Sequence, residues 1–251
     1  MAERDSIVAF LDKYLDKNAY EDDSLNGLQV EGVPTVRKIA VGVSASLEFF
    51  RRSAAACADL LVVHHGMLWA RQNRLCGPYR AKVKFLLDNG LSLAAYHLPL
   101  DAHRECGNNR SIMRYLGAKE LKPFGLYHNK PIGFQGKLPR PMTAAQVCTI
   151  LKEKLGGDPK VFAGGPAKLR SLAVVSGGAS SMLEGAVSGG LDLYITGEPS
   201  EYVQEQCREG GVTCIAAGHY NSEKAGVLAL APLLSRKFGV PVEFIDVPNP
   251  I

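Results

Sequence analysis

ADLLVVHHG, residues 58–66, is the stretch on which the reading of the whole chain turns. Leu60, Leu61, Val62 and Val63 form a short, continuously apolar run that ends in two histidines and a glycine. Such a run, closed by a turn residue, predicts a fully buried strand of a parallel sheet. Side chains alternate faces along a strand, so His64 and His65 converge only where the strand ends and Gly66 turns the backbone. In open α/β sheets the carboxyl ends of strands are where sites form. Two imidazoles placed there have the character of metal ligands. The plainer alternative is a pair of polar residues bonded to carbonyls, and the tandem placement favours ligation over it.

Working outward, helical and strand patterns alternate. Residues 6–15 carry Ile7, Val8, Phe10, Leu11, Tyr14 and Leu15 at helical spacing. NGLQVEG (26–32) reads as a short strand, RKIAVGVSAS (37–46) as a strand entering a turn, and 47–58 as a helix leading back to HHG. After a loop containing Trp69 come a helix at 81–89 and a strand at 91–96 that ends in His97-Leu-Pro-Leu-Asp101. The second half repeats this order. Thr143 is a good N-cap for AAQVCTILKEKL, which Gly156 and Gly157 close. VFAGGPAKLRSLAVVSGGAS stands beside VEGVPTVRKIAVGVSAS, and LDLYITGE beside ADLLVVHHG, with helices at 181–188 and 200–209. GVTCIAAGHYNSE is the counterpart of GLSLAAYHLPLD, which sets His219 on His97 and Glu223 on Asp101. The expectation is an α/β protein of two related halves from an internal duplication, residues 1–125 and 126–251. Its sheets are flanked by helices, its metal site lies between the halves, and its linker falls at 123–130.

Each candidate site residue has a structural alternative. His97 and Asp101 flank Leu98-Pro99-Leu100 and are expected in a rigid loop, where Pro99 fixes φ; capping by Asp101 and a core-edge role for His97 are the alternatives. Ser222 is expected to cap the helix that follows, which puts Glu223 in its first turn, where the helix dipole favours a carboxylate. With His219 just before that turn, the pair reads as two more ligands, although capping alone accounts for Glu223. Up to four imidazoles and two carboxylates are too many for one tetrahedral ion and suit two ions. Glu198, in TGE, stands roughly where Gly66 stands in the first half, as a general base, a partner of a ligand, or a solvated acid. Ser176-Gly-Gly-Ala-Ser180 is a weak candidate for a phosphate-holding turn. Trp69 and Tyr220 either line a pocket for a flat ring or pack. His103 and His128 read as surface residues, and the cysteines as core.

Apolar content of 46% and charged content of 22% are those of an ordinary globular protein. A net charge of +4, with no basic run, argues against nucleic acid as an obligatory partner. The six cysteines include no C-x-x-C, and the first 15 residues lack the apolar core of a signal peptide. No apolar run approaches the roughly 20 residues that span a bilayer. Reduced thiols in a cytoplasmic protein, away from membranes, are expected.

HHG, HLPLD, TGE and GHYNSE, with NGLQV near the start and FIDVPNP at the end, together resemble the Nif-three-like dinuclear-metal proteins, also labelled GTP cyclohydrolase 1 type 2 homologues. The motifs span nearly the whole chain, and the length resembles the short bacterial form. The resemblance implies a toroidal homohexamer with two metal ions per subunit. It implies His64, His65, Asp101, His219 and Glu223 as ligands, with His97 beside them. Some relatives carry a histidine shortly after TGE, where this chain has Pro-Ser-Glu-Tyr. The function expected is a metal-dependent hydrolase of a nucleotide or related heterocycle, with zinc, iron or manganese supplying hydroxide and Glu198, or a carboxylate ligand that swings free, moving the proton. The alternative is a non-catalytic ring that stores or delivers metal, or docks a protein or DNA partner.

Overall fold

Residues 60–65 form the middle strand of a five-stranded sheet. In the computed structural model, which describes residues 1–70 and 74–251, Leu60–His65 lies between Ile39–Ser44 and Ser92–Ala95 and runs parallel to both. Val242–Phe244 extends the sheet in parallel, and Gly27–Val30 closes the opposite edge antiparallel. A parallel strand in mid-sheet is covered on both faces, so Leu60, Leu61, Val62 and Val63 are all apolar and wholly buried. Phe49 and Phe50 of the helix Leu47–Ala55 and Leu86 of Gly77–Asp88 share a core with Leu61, Val63 and Leu93. Each such side chain contributes roughly 1.5–3 kcal/mol when fully buried.

A second sheet has six strands. Leu169–Val174, Leu193–Thr196 and Thr213–Ala216 form its parallel centre, and Lys160–Phe162 lies antiparallel beyond Thr213–Ala216. The hairpin Lys119–Tyr127 and Lys130–Met142 completes the other side. Its core joins Leu172, Ile195 and Ile215 to Ile112, Val147 and Leu151. Val147 and Leu151 lie on the helix Ala144–Leu155, which Thr143 opens with a full capping box.

By internal contacts the chain divides into two units, residues 1–100 with 227–248 and residues 101–226 with 249–251. That division follows the two sheets, since Val242–Phe244, last in the chain, belongs to the first. The halves 1–125 and 126–251 rest instead on a repeated order of elements.

Several expectations are corrected. Residues 123–130 are no linker but the tip of the hairpin, where His128 and Asn129 take φ of +44° and +62°. Pro123 is tolerated because Lys119–Tyr127 is an edge strand. Residues 98–101 are not a loop: Leu98–Ala102 is a short helix, and Pro99 sits in its first turn, where its missing N–H costs no hydrogen bond. Ser222 is not an N-cap, because the helix begins at His219 and runs to Phe238. Among the cysteines, Cys57 and Cys76 are exposed and Cys148 half-buried, while Cys106, Cys207 and Cys214 are core; no disulfide links them.

The sheets share a set of hydrogen bonds at their amino ends. The Asp59 carboxylate accepts from the N–H of Arg37 and Lys38, and the Asp192 carboxylate from the N–H of Arg170 and Ser171. Ser92 N–H donates to Asp59 O, and Thr213 N–H to Asp192 O. Gly32 N–H donates to the Ser92 hydroxyl, and Gly165 N–H to that of Thr213. Leu60 pairs with Ser92 as Leu193 pairs with Thr213. This register sets Gly218, not His219, at the place of His97, and His65, not Gly66, at the place of Glu198.

Candidate metal-ligating residues

In the first unit His64, His65 and His97 gather at the carboxyl ends of adjacent parallel strands. Each offers a ring nitrogen, and the three nitrogens lie within 4.8 Å of one another. Nδ1 of His64 is 3.0 Å from Tyr96 O. A carbonyl only accepts, so Nδ1 is the donor in this bond and Nε2 is the nitrogen left for a ligand. Nδ1 of His65 is 3.3 Å from the Ser44 hydroxyl, and Nδ1 of His97 is 2.8 Å from Asp22 Oδ1. Burial works to raise the Asp22 carboxyl, but hydrogen bonds from His97, Asn26 and Ser24 N–H hold it below the usual carboxylate range.

The turn after HHG is tight. Gln29 Oε1 accepts from the N–H of Met67 and Leu68, and a Cβ on Gly66 would fall 2.4 Å from the Gln29 amide. Trp69 donates from Nε1 to Gly66 O and sets its ring edge-on to His97, centroids 5.2 Å apart. Trp69 therefore packs against the imidazoles.

The second unit supplies the carboxylates. Asp101 is buried, and its Oδ1 accepts from Asn108 Nδ2 and the Ser176 hydroxyl, both at 2.9 Å. Asn109 Oδ1 accepts from Ser176 N–H, and the Ser222 hydroxyl from Gly177 N–H. Those two amides of the glycine turn hold the site's own side chains, so neither is spare for a phosphate. His219 opens its helix with Nδ1 2.5 Å from Glu198 Oε1 and Nε2 3.1 Å from Glu223 Oε1, one helical turn on. Burial pulls the His219 imidazole down, but Glu223 and then Glu198 outweigh it and raise its pKa to about 9. Carboxylate oxygens of Asp101 and Glu223, both buried, lie within 4.8 Å of each other. Like charges so placed repel, and a cation between them removes the cost. Gly177, at φ +68°, makes room: a Cβ there would stand 2.4 Å from Glu223 Oε1.

No sequence pattern singles out Asp22, Asn108 or Asn109, and Ser176, expected in a phosphate-holding turn, instead bonds to Asp101. Asp22 sits in an acidic turn, YEDDS, whose bond to His97 crosses 75 positions of chain. Asn26 opens NGLQV, so a signal existed for it. Tyr220 is buried, with the Lys224 ammonium 5.5 Å from its ring centroid, and is no exposed platform. His103 is half-buried and accepts the Cys106 N–H on Nδ1; His128 is exposed.

Fold and donors define the class: an α/β protein with histidines at the ends of parallel strands in one unit and a histidine and carboxylates on the helices of the other. The chain belongs to the Duf34/NIF3 (NGG1p interacting factor 3) family, whose sequence model matches residues 2–250. It is 43% identical to the "GTP cyclohydrolase 1 type 2 homolog" of Archaeoglobus fulgidus, over 97% of each chain. Its identity to the protein of the same name from Pseudomonas aeruginosa is 41%, over 98% of this chain and 97% of that one. Among solved structures it is similar to TTHA1606 from Thermus thermophilus, with 37% identity, a TM-score of 0.90, and 99% of this chain and 100% of that one covered. It is also similar to protein ybgI, described as of unknown function, with 34% identity, a TM-score of 0.92 and the same coverage. The resemblance read from the motifs is borne out. No helix among the described residues is long and apolar enough to cross a membrane.

Proposed function

We propose that this chain is a metal-dependent hydrolase that holds two divalent cations and acts on a nucleotide or related heterocycle, in the manner of a GTP cyclohydrolase. The carrying observation is how the four imidazoles are held. Nδ1 of each meets an oxygen: Tyr96 O for His64, Ser44 Oγ for His65, Asp22 Oδ1 for His97 and Glu198 Oε1 for His219. Ligating histidines are oriented in this way, their second nitrogen bonded to a carbonyl or carboxylate. The buried carboxylates of Asp101 and Glu223 add hard oxygen donors. Nitrogen and oxygen donors without thiolate suit zinc, iron or manganese.

In this reading His64, His65, His97, Asp101, His219 and Glu223 hold the cations. Such cations, when bound there, would supply Lewis acidity toward a substrate and hydroxide at neutral pH. Glu198 keeps the His219 ring in place and, with 40% of its side chain exposed, exchanges the reaction's proton with solvent. A ring of six copies and a cytoplasmic setting belong to the same proposal. The test is turnover of a panel of nucleotides, GTP included, and phosphoesters by metal-loaded protein. His65→Ala is expected to abolish product release while the circular dichroism spectrum stays unchanged. No product from any member of the panel contradicts the hydrolase reading.

A further inference from the structure

We propose that Asp22 and Asn26 are positioning residues that hold His97 in the orientation of a metal ligand, an inference that rests on the metal-binding reading above. Five hydrogen bonds make the clamp. Asp22 Oδ1 accepts from His97 Nδ1 at 2.8 Å and from Ser24 N–H at 2.9 Å. Asp22 Oδ2 accepts from Leu98 N–H at 3.0 Å and from Asn26 Nδ2 at 2.9 Å. Asn26 Oδ1 in turn accepts the backbone N–H of His97 at 2.8 Å. Ring and backbone of His97 are thus fixed separately, one by each residue. Both come from the segment leading into the antiparallel edge strand Gly27–Val30, whose Gly27 pairs with Ala95.

The choice of a carboxylate is informative. Only 3% of the Asp22 side chain is exposed, and burying a charge is costly where a neutral acceptor would close the loop. What a carboxylate adds is a fixed Nδ1–H and a more basic Nε2, the two properties a ligand uses. The pattern recurs once per unit. His97 is backed by Asp22 and His219 by Glu198, while His64 and His65 lean on neutral oxygens.

The test begins on the metal-free wild-type chain, with the ring ¹⁵N shifts of His97 measured by NMR. The clamp predicts the proton on Nδ1. Zinc titration then compares the wild type with Asp22→Asn, whose affinity is expected to fall about 10–100-fold. Asn26→Ala removes the backbone grip and keeps the carboxylate, so its loss should be smaller than that of Asp22→Asn. If Asp22→Asn does not fold, the wild-type ring shifts and Asn26→Ala still decide. A His97 proton on Nε2, or an Asp22→Asn chain that binds zinc as tightly as wild type, overturns the clamp. A wild type that takes up neither zinc, iron(II) nor manganese overturns the metal reading itself and this inference with it.

Discussion

Five residues after Leu60 stands His65; five residues after Leu193, at the matching place in the other sheet, stands Glu198. One position earlier the pair is His64 and Gly197, and at the end of the next strand it is His97 and Gly218. At the opposite ends the sheets coincide, down to an aspartate that accepts two successive backbone N–H groups in each. The contrast separates what builds a parallel sheet from what a site demands. Amino ends must satisfy buried backbone donors and do so in one way; carboxyl ends carry the chemistry and diverge. We propose an internal duplication in which one copy carries His64, His65, His97 and Asp101 at or beyond the ends of these strands and the other Glu198, His219 and Glu223.

Truncating the matched leucines puts the largest strain on this comparison. Leu60→Ala and Leu193→Ala, both wholly buried, should each cost about 2–5 kcal/mol in urea unfolding. Costs differing by more than that range would break the equivalence of the two cores. At the site, Gly177→Ala combines a positive φ with a Cβ 2.4 Å from Glu223 Oε1. A loss of about 2–4 kcal/mol and weaker metal binding are expected. Gly178→Ala has nothing nearer than His219 Cε1 at 4.0 Å and is the control, expected to be close to neutral.

Asp59→Asn should cost about 1–3 kcal/mol at neutral pH. Burial alone would raise the Asp59 carboxyl, but the Arg37 guanidinium and the N–H groups of Arg37 and Lys38 hold it below the usual range. Its contribution is complete above the unfolded carboxylate value near 4 and fades as pH falls through the lower folded one. The variant should therefore lose less stability than wild type as pH falls below about 4, which acid titration of the unfolding midpoint measures. The helix caps give the smallest effect. Thr143→Ala breaks a capping box and should cost about 1 kcal/mol, whereas Ser46→Ala loses one bond to Phe49 N–H and should cost less.

Much of this fold was legible in the sequence because buried parallel strands write themselves as short apolar runs. LLVV, IAVGV and LAVV were readable for that reason, as was the Thr143 cap. The hairpin of residues 119–142 was not, since its prolines and exposed edge read as a linker. Among the candidate ligands of each unit, residues that end apolar strands announced themselves: His64, His65 and His97 in the first and His219 in the second. Their partners did not. Asp22, Asn108 and Ser176 act through contacts distant in sequence, and nothing local distinguishes a buried carboxylate from the solvated acids beside it. The one-residue slip in pairing His97 with His219 had the same origin, because backbone register shows only in hydrogen bonds.

The most direct test is a metal count. Protein purified without chelator and dialysed against zinc, iron(II) or manganese should retain about two divalent ions per chain by elemental analysis. His64→Ala and Glu223→Ala, one in each unit, should each lower that count while the chain stays folded. A wild-type chain that retains no ion under any of these conditions contradicts the account.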